Sequence, residues 1–195
     1  MHLHQVIAGR RMVRRYRADP VAAGAVERIV RAALRGPSAG FSQGLRLVVV
    51  TDHERRRAVA EICGEADHVA RGRPPWLSLA PVHIVVGVRP DDYRERYAEA
   101  DKATSVSPDD WATPFWWVDA GAALMLLLLA AVDEGLGAGV LQIADPDRLR
   151  ALLDIPADVE PVCLVTIGHP EGDGGPRGSA TRGRRPVEES VRWIS

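Results

Sequence analysis

The chain is poor in the residues that carry conventional catalysis and cross-linking. Its two cysteines, Cys63 and Cys163, are too few and too isolated for a disulfide framework, and no CxxC suggests a metal. The histidines are scattered. His2 and His4 make a lone HxH near the N-terminus, and His53, His68, His83 and His169 have no Cys or His at ligand spacing, so no metal site is expected. No P-loop, GxSxG elbow or HExxH occurs. Gly135-x-Gly137-x-Gly139 reads as half of a dinucleotide fingerprint, but it follows an expected helix and precedes an expected strand, the reverse of the required context. Lysine is nearly missing: Lys102 is the single one among 25 basic residues, leaving 24 arginines. A formal net charge of -1 gives no global field to attract nucleic acid or a membrane. MHLHQVIAGRR has no apolar stretch long enough for a secretory signal, and a cytoplasmic location is expected.

What is present is enough for one core. With 195 residues, 46% hydrophobic and 26% charged, the chain is expected to fold as a single domain over residues 1–195. Its organising stretch is Val118 to Leu136, in which Ala120 to Val132 run thirteen residues without charge or proline. Leu, Ala and Met occupy every face, so the expected helix is buried on all or nearly all sides. A bilayer span needs about 20 apolar residues, and Asp119 and Asp133 close the run short of that. Small residues (Gly121, Ala122, Ala123, Ala130) allow a neighbouring helix to approach, within the chain or from a second subunit.

In chain order, Arg10, Arg11, Arg14 and Arg15 cluster near the start, and on a helix Arg10 and Arg14 would share a face. The cluster is either a solvated basic surface or an anion site, for which the planar guanidinium fork is suited. Asp19-Pro20 opens a helix carrying Val26, Ile29, Val30 and Ala33, and Gly36-Pro37 ends it. The loop PSAGFSQ, Pro37 to Gln43, exposes amides and hydroxyls. Strands are expected at Leu45 to Val50, Ala80 to Val88, within Gly135 to Ile143, and at Val159 to Gly168. Helices are expected at about Glu54 to Cys63 and Asp145 to Leu153, with Asp145 as N-cap. Residues 90–117 read as a variable, polar and aromatic excursion. It ends in WATPFWW, whose aromatics are either core or the lining of a pocket for a flat ligand. The Gly-rich tail from Glu171 to Arg185 is expected to be flexible.

Taken together the pieces resemble the FMN-dependent nitroreductase family over nearly the whole chain. The family's R-R-S-x-R-x-F-like opening has its counterpart in Arg10, Arg11, Met12, Val13, Arg14, Arg15, Tyr16. Its A-P-S-x-x-N-x-Q segment is matched by Gly36-Pro37-Ser38-Ala39-Gly40-Phe41-Ser42-Gln43, its long helix ending in G-L-G by Ala120 to Gly137, and its R-x-R-x-P by Arg182, Arg184 and Pro186. Met12 stands where the family has Ser, Phe41 where it has Asn, and Gly44-Leu45 where Pro-Trp is common.

The resemblance implies an α+β fold, a three-layer α-β-α sandwich with a mixed, mostly antiparallel sheet and the central helix at a homodimer interface. It implies FMN as cofactor and NADH or NADPH as reductant. The phosphate would be met by Arg10, Arg11, Arg182 and Arg184 beside Met12. Arg14 would lie by the flavin pyrimidine edge, where a cation favours the reduced state. Pro37, Ser38, Ala39, Phe41 and Gln43 would meet the ribityl chain and ring edge, and Leu141, Gln142 and Ile143 would bring backbone to the ring. Phe41, Trp111, Phe115 and Trp116 are the expected substrate pocket. The implied reaction is ping-pong, from NAD(P)H through the flavin to a nitroaromatic, a quinone or a similar conjugated acceptor, with no side chain as general acid. Flavin fragmentation, dehalogenation and azoline oxidation on the same fold, and a non-catalytic flavin- or anion-binding protein, are the other readings.

Overall fold

In a computed structural model of the chain, residues 1–102, 104–172 and 181–194 are described. Among them are four strands, β1 (Leu45–Val50), β2 (Val82–Val88), β3 (Gly137–Leu141) and β4 (Glu160–Gly168), in one sheet of order β1-β2-β4-β3. Every neighbouring pair is antiparallel. Among the described residues the one parallel pairing is an isolated bridge from Met12 to Ala138 at the β3 edge.

Helices cover both faces. On one side α2 (Ala23–Ala33) and α6 (Phe115–Asp133) bury Ile84, Val86, Val165 and Ile167. On the other, α3 (His53–Ile62) and α7 (Pro146–Leu153) pack on Val85 and Leu164. Successive residues of β2 and β4 thus point to opposite layers, and a strand buried on both faces must be apolar throughout. The run VHIVVGV meets that demand everywhere except His83, and all seven of its residues are buried. As expected, Asp145 caps α7, accepting the Arg148 amide at 3.0 Å. The remaining helices are α1 (Leu3–Gly9), α4 (Glu65–Ala70), α5 (Pro90–Tyr97) and α8 (Val187–Ser190).

Two expectations change. The central helix starts three residues earlier than read, at Phe115, and spans 19 residues, so by length and composition alone it is long and apolar enough to cross a membrane. Its packing against α2 and the sheet makes it a core helix. Nor is it buried on every side: Ala120, Ala123, Leu127 and Ala131 face inward, while Trp117, Val118, Gly121 and Met125 are exposed. Uniform apolarity fixed the helix but not how many of its faces one chain can cover.

The arginine-rich opening is also not helical. Helix α1 ends at Gly9, and the arm Arg10 to Arg17 runs from β3, where Met12 bridges Ala138, to the segment after β4, where Tyr16 bridges Pro170. The Val13 amide donates to the Ala138 carbonyl at 2.8 Å, and the Arg17 amide to His169 at 2.9 Å. Gly137 and Gly139 make room for this arm. A Cβ on Gly139 would sit 2.5 Å from the Val13 carbonyl oxygen and 2.7 Å from the Trp76 ring. The glycine pair rejected as a nucleotide fingerprint is therefore a dock for the N-terminal arm.

Candidate functional site

The arm presents arginines because its two inward positions are taken by Val13 and Tyr16, both buried. Tyr16 Oη donates to the Val13 carbonyl at 2.9 Å and shares a 2.8 Å hydrogen bond with Thr166 Oγ1. Burial pushes its hydroxyl far above the usual tyrosine range. Among the described residues none of Arg10, Arg11, Arg14 and Arg15 forms an ion pair, although sixteen ion pairs occur elsewhere. Unpaired guanidiniums on an ordered strand suit an anion.

Arg14 lies over the Trp76 ring, 5.5 Å from its centroid, a cation–π distance. Trp76 is held from below by Glu65. One carboxylate oxygen of Glu65 accepts the backbone amides of Trp76 (2.8 Å), Leu77 (2.6 Å) and Ser78 (3.1 Å). Burial alone would raise that carboxyl, but the Ser78 hydroxyl and the three amides hold it below its ordinary value. Beside this nest is a cleft of about 430 Å³ lined by Arg14, Leu141, Trp76, Arg71 and Arg73. Arg14 and Leu141 were expected at the site. Arg71, Arg73 and Trp76 were not, though RGRPPW, two arginines ahead of a proline pair that excludes helix, was the available signal. Gln142 is exposed, whereas the Ile143 side chain is buried in the α3/α7 core, leaving only its backbone for a ligand.

The second expected cluster is elsewhere. Pro37, Ser38, Phe41 and Gln43 line a cleft of about 610 Å³ whose floor is Tyr93, Asp119 and Ala123. Both cleft volumes fall in the range of small-molecule sites. Gly40, Phe41 and Gln43 all have left-handed backbone, at φ 61°, 59° and 56°. Phe41 is 73% exposed. An aromatic on strained backbone that buries little is a conformation the surroundings must enforce. They do: Tyr97 packs on Gly40, and Arg96 Nε donates to its carbonyl at 2.9 Å.

The two clusters occupy diagonal corners of the sheet. Loop 37–43 enters β1 at Leu45, which registers through Val88 with Glu160 at the start of β4. Met12 bridges Ala138, which registers with Ile167 near the end of β4. Three strand spacings and seven residues of rise separate them, about 14 Å across and about 23 Å along. Arg182 and Arg184 lie on the exposed approach to α8, and no ion pair joins them to the arm among the described residues. Residues 173–180 of the Gly-rich tail fall outside the description.

The aromatic pocket needs correction for one chain. Trp116 is buried in the α2/α6 core, its Nε1 without a hydrogen-bond partner, and half-buried Trp111 packs on it with ring centroids 6.0 Å apart. Phe115 is exposed on the far side of Trp111. Of the four expected residues, only Phe41 lines the cleft at Pro37. The 90–117 excursion is largely built around this aromatic stack: Tyr93 of α5 is fully buried and meets both tryptophans.

Antiparallel four-stranded sheet, helical layers on both faces and a docked arginine arm define an α+β sandwich of a known kind. Residues 7–169 match the model of the nitroreductase family, and the chain belongs to that family. It is 34% identical to a Thermus thermophilus protein named NADH dehydrogenase, across 94% of this chain and 92% of that one. It is 30% identical to the Bacillus subtilis FMN reductase [NAD(P)H], across 82% of this chain and 62% of that protein. A nitroreductase family protein from Streptococcus pneumoniae superposes with a TM-score of 0.77 at 21% identity, covering 98% and 99% of the two chains. The NADPH:FMN oxidoreductase of Vibrio harveyi gives a TM-score of 0.75 at 22% identity, covering 99% of this chain and 77% of that one.

Proposed function

We propose that the protein is a cytoplasmic, homodimeric FMN-dependent oxidoreductase that passes reducing equivalents from NADH or NADPH to a nitroaromatic, quinone or similar conjugated acceptor. The observation that carries this reading is the unpaired arginine arm docked along β3 in a nitroreductase fold. When bound, FMN would supply the electron-transfer chemistry, as the names of the Bacillus and Vibrio relatives suggest. Arg10 and Arg11, with Arg182 and Arg184, would hold its phosphate, each charged hydrogen bond contributing about 1.5–3 kcal/mol. Arg14, oriented by Trp76, would place a positive charge where negative charge develops on the ring.

The diagonal separation gives the dimer a purpose. A single chain offers the arm at one corner and loop 37–43 at the other, so each site would combine one copy's arm with the other copy's loop. The exposed apolar stripe of α6, with Trp117, Val118 and Met125, supplies a surface for that pairing. The acceptor would then meet Phe41, and donor and acceptor would use one cavity in turn, with positioning as the protein's contribution.

The test is the visible spectrum of the purified protein before and after anaerobic NADPH. A flavin spectrum that bleaches, and returns when a quinone or nitroaromatic is added, supports the enzyme. A bound flavin that neither NADPH nor, added next, NADH bleaches favours a non-catalytic carrier. A colourless protein that FMN cannot reconstitute sinks the proposal.

A further inference from the structure

The most apolar helix of the chain carries a buried carboxylate for which the function above has no use. Asp119 is 7% exposed and has no ion-pair partner among the described residues. Its Oδ2 accepts two hydrogen bonds, from Tyr93 Oη at 2.7 Å and from the Ala39 amide at 2.9 Å. Ala39 belongs to the left-handed loop, and Tyr93 to the segment expected as an excursion. Within the same loop Ser38 Oγ accepts the Gln43 amide at 2.8 Å. One carboxylate thus ties three elements together beneath the cleft.

We propose that Tyr93 and Asp119 are a positioning pair that holds loop 37–43 in its left-handed form and so fixes the Ser38 hydroxyl toward the cofactor. A carboxylate can only accept, so Tyr93 must donate to Asp119. One Ser38 lone pair is used by the Gln43 amide. What Ser38 has left for a ligand is its other lone pair and its own hydroxyl proton. Together they suit a group that can both donate and accept, such as a hydroxyl of a polyol chain. Burial of the pair is what makes the arrangement firm, because an unmatched polar group there would carry its full desolvation cost. The cofactor half of this inference rests on the flavin reading above; the loop half does not.

The experiment pairs amide hydrogen exchange on the flavin-free protein with FMN titration, for wild type, Tyr93→Phe, Asp119→Asn and the double variant. Exchange at Ala39 and Gln43 should quicken about tenfold in each single variant, the scale of one lost hydrogen bond, while β2 and β4 keep their protection. The Kd for FMN should weaken about tenfold, and the double variant should bind no worse than the weaker single one, as expected for groups acting as a unit. Unchanged exchange at Ala39 and Gln43, or a rise spread equally over the core strands, overturns the positioning role. Should Asp119→Asn fail to fold, Tyr93→Phe, which removes one oxygen, decides alone. A wild-type protein that takes up no FMN overturns the flavin reading and the Ser38 assignment toward it, and the exchange data still decide the tether.

Discussion

The two edges of the sheet are built on opposite principles. At the β3 edge the backbone is made as bare as possible, with Gly137 and Gly139 letting the arm lie directly on the strand, and among the described residues its Arg10, Arg11, Arg14 and Arg15 form no ion pair. At the β1 edge the arginines are consumed in pairing. Arg89 meets Asp92, Glu95 and Asp158, Arg46 meets Asp92, and Arg96 holds both Asp101 and the Gly40 carbonyl. One edge presents charge on an ordered arm; the other spends charge to order a strained loop. A site needing both cannot be closed within one chain at about 14 Å across and 23 Å along. That contrast is what the following experiments attack.

The largest expected effect is all-or-none. Arg10→Ala/Arg11→Ala removes the two arm charges assigned to the phosphate, and Ser38→Ala/Phe41→Gly disables the loop; each protein alone should lose flavin binding. If sites combine the arm of one copy with the loop of the other, unfolding and refolding an equal mixture restores one intact site per mixed dimer. Random reassortment then recovers about a quarter of wild-type binding capacity. A mixture as inactive as its parents means that each site is made by one chain, and the diagonal argument fails.

Gly139→Ala should come next. Its Cβ would meet the Val13 carbonyl, Trp76 and Thr166 Oγ1 at once, and backbone cannot yield as a side-chain tip would. The expected cost is about 3 kcal/mol or more, read as a fall in denaturation midpoint. Amide protection of Val13 should be lost while that of Gln43 is kept. Equal loss at both edges would show that the arm and the loop are one cooperative unit.

These two edges were unequally legible in the sequence. Nearly continuous apolar runs announced β2, β4 and α6, because burial in the core leaves few polar positions, His83 and Thr166 among them, to confuse the period. A shorter run broken by Arg46 announced β1, which is only partly buried. The extended form of the arm was not legible, because it is set by glycines more than a hundred residues downstream, which no local pattern reveals. The site residues Arg10 to Arg14 and Pro37 to Gln43 were legible only through resemblance, and their separation only through strand order. Asp119 looked like the end of an apolar run. Its burial depends on Tyr93, in a segment whose charge density suggested an excursion. Charged residues report solvent by default, and only tertiary packing shows the exception.

The arm side also carries a pH-sensitive group that the loop side lacks. His83 is fully buried in register with Thr166, which bonds Tyr16. Its Nε2 donates to the Leu77 carbonyl at 2.8 Å, and Nδ1 has no partner. Burial, with a smaller contribution from nearby Arg56, lowers its pKa from 6.5 to about 4. The unfolded chain therefore binds a proton the folded one refuses. His83's contribution is whole above pH 6.5, declines as pH falls toward 4, and changes no further below. The total is up to about 3 kcal/mol. His83→Gln, which can still donate to Leu77, should flatten the stability-against-pH curve in that window relative to wild type. Parallel curves for the two proteins would remove His83 as the source.

The smallest effect tests whether the loop is strained for a reason. Phe41 sits at φ 59° with most of its ring in solvent, so its own packing contributes little to hold it there. Asn and Gly tolerate that backbone better than an aromatic residue. Phe41→Asn should therefore raise stability slightly, by under about 1 kcal/mol. A fold selected for stability alone would not keep Phe at this position. The informative readout is acceptor preference: with the ring gone, kcat/KM for a flat aromatic quinone should fall relative to that for a small one. If stability rises and the preference stays put, the strain serves the loop's shape and not the acceptor, and Tyr93 with Asp119 accounts for the corner without Phe41.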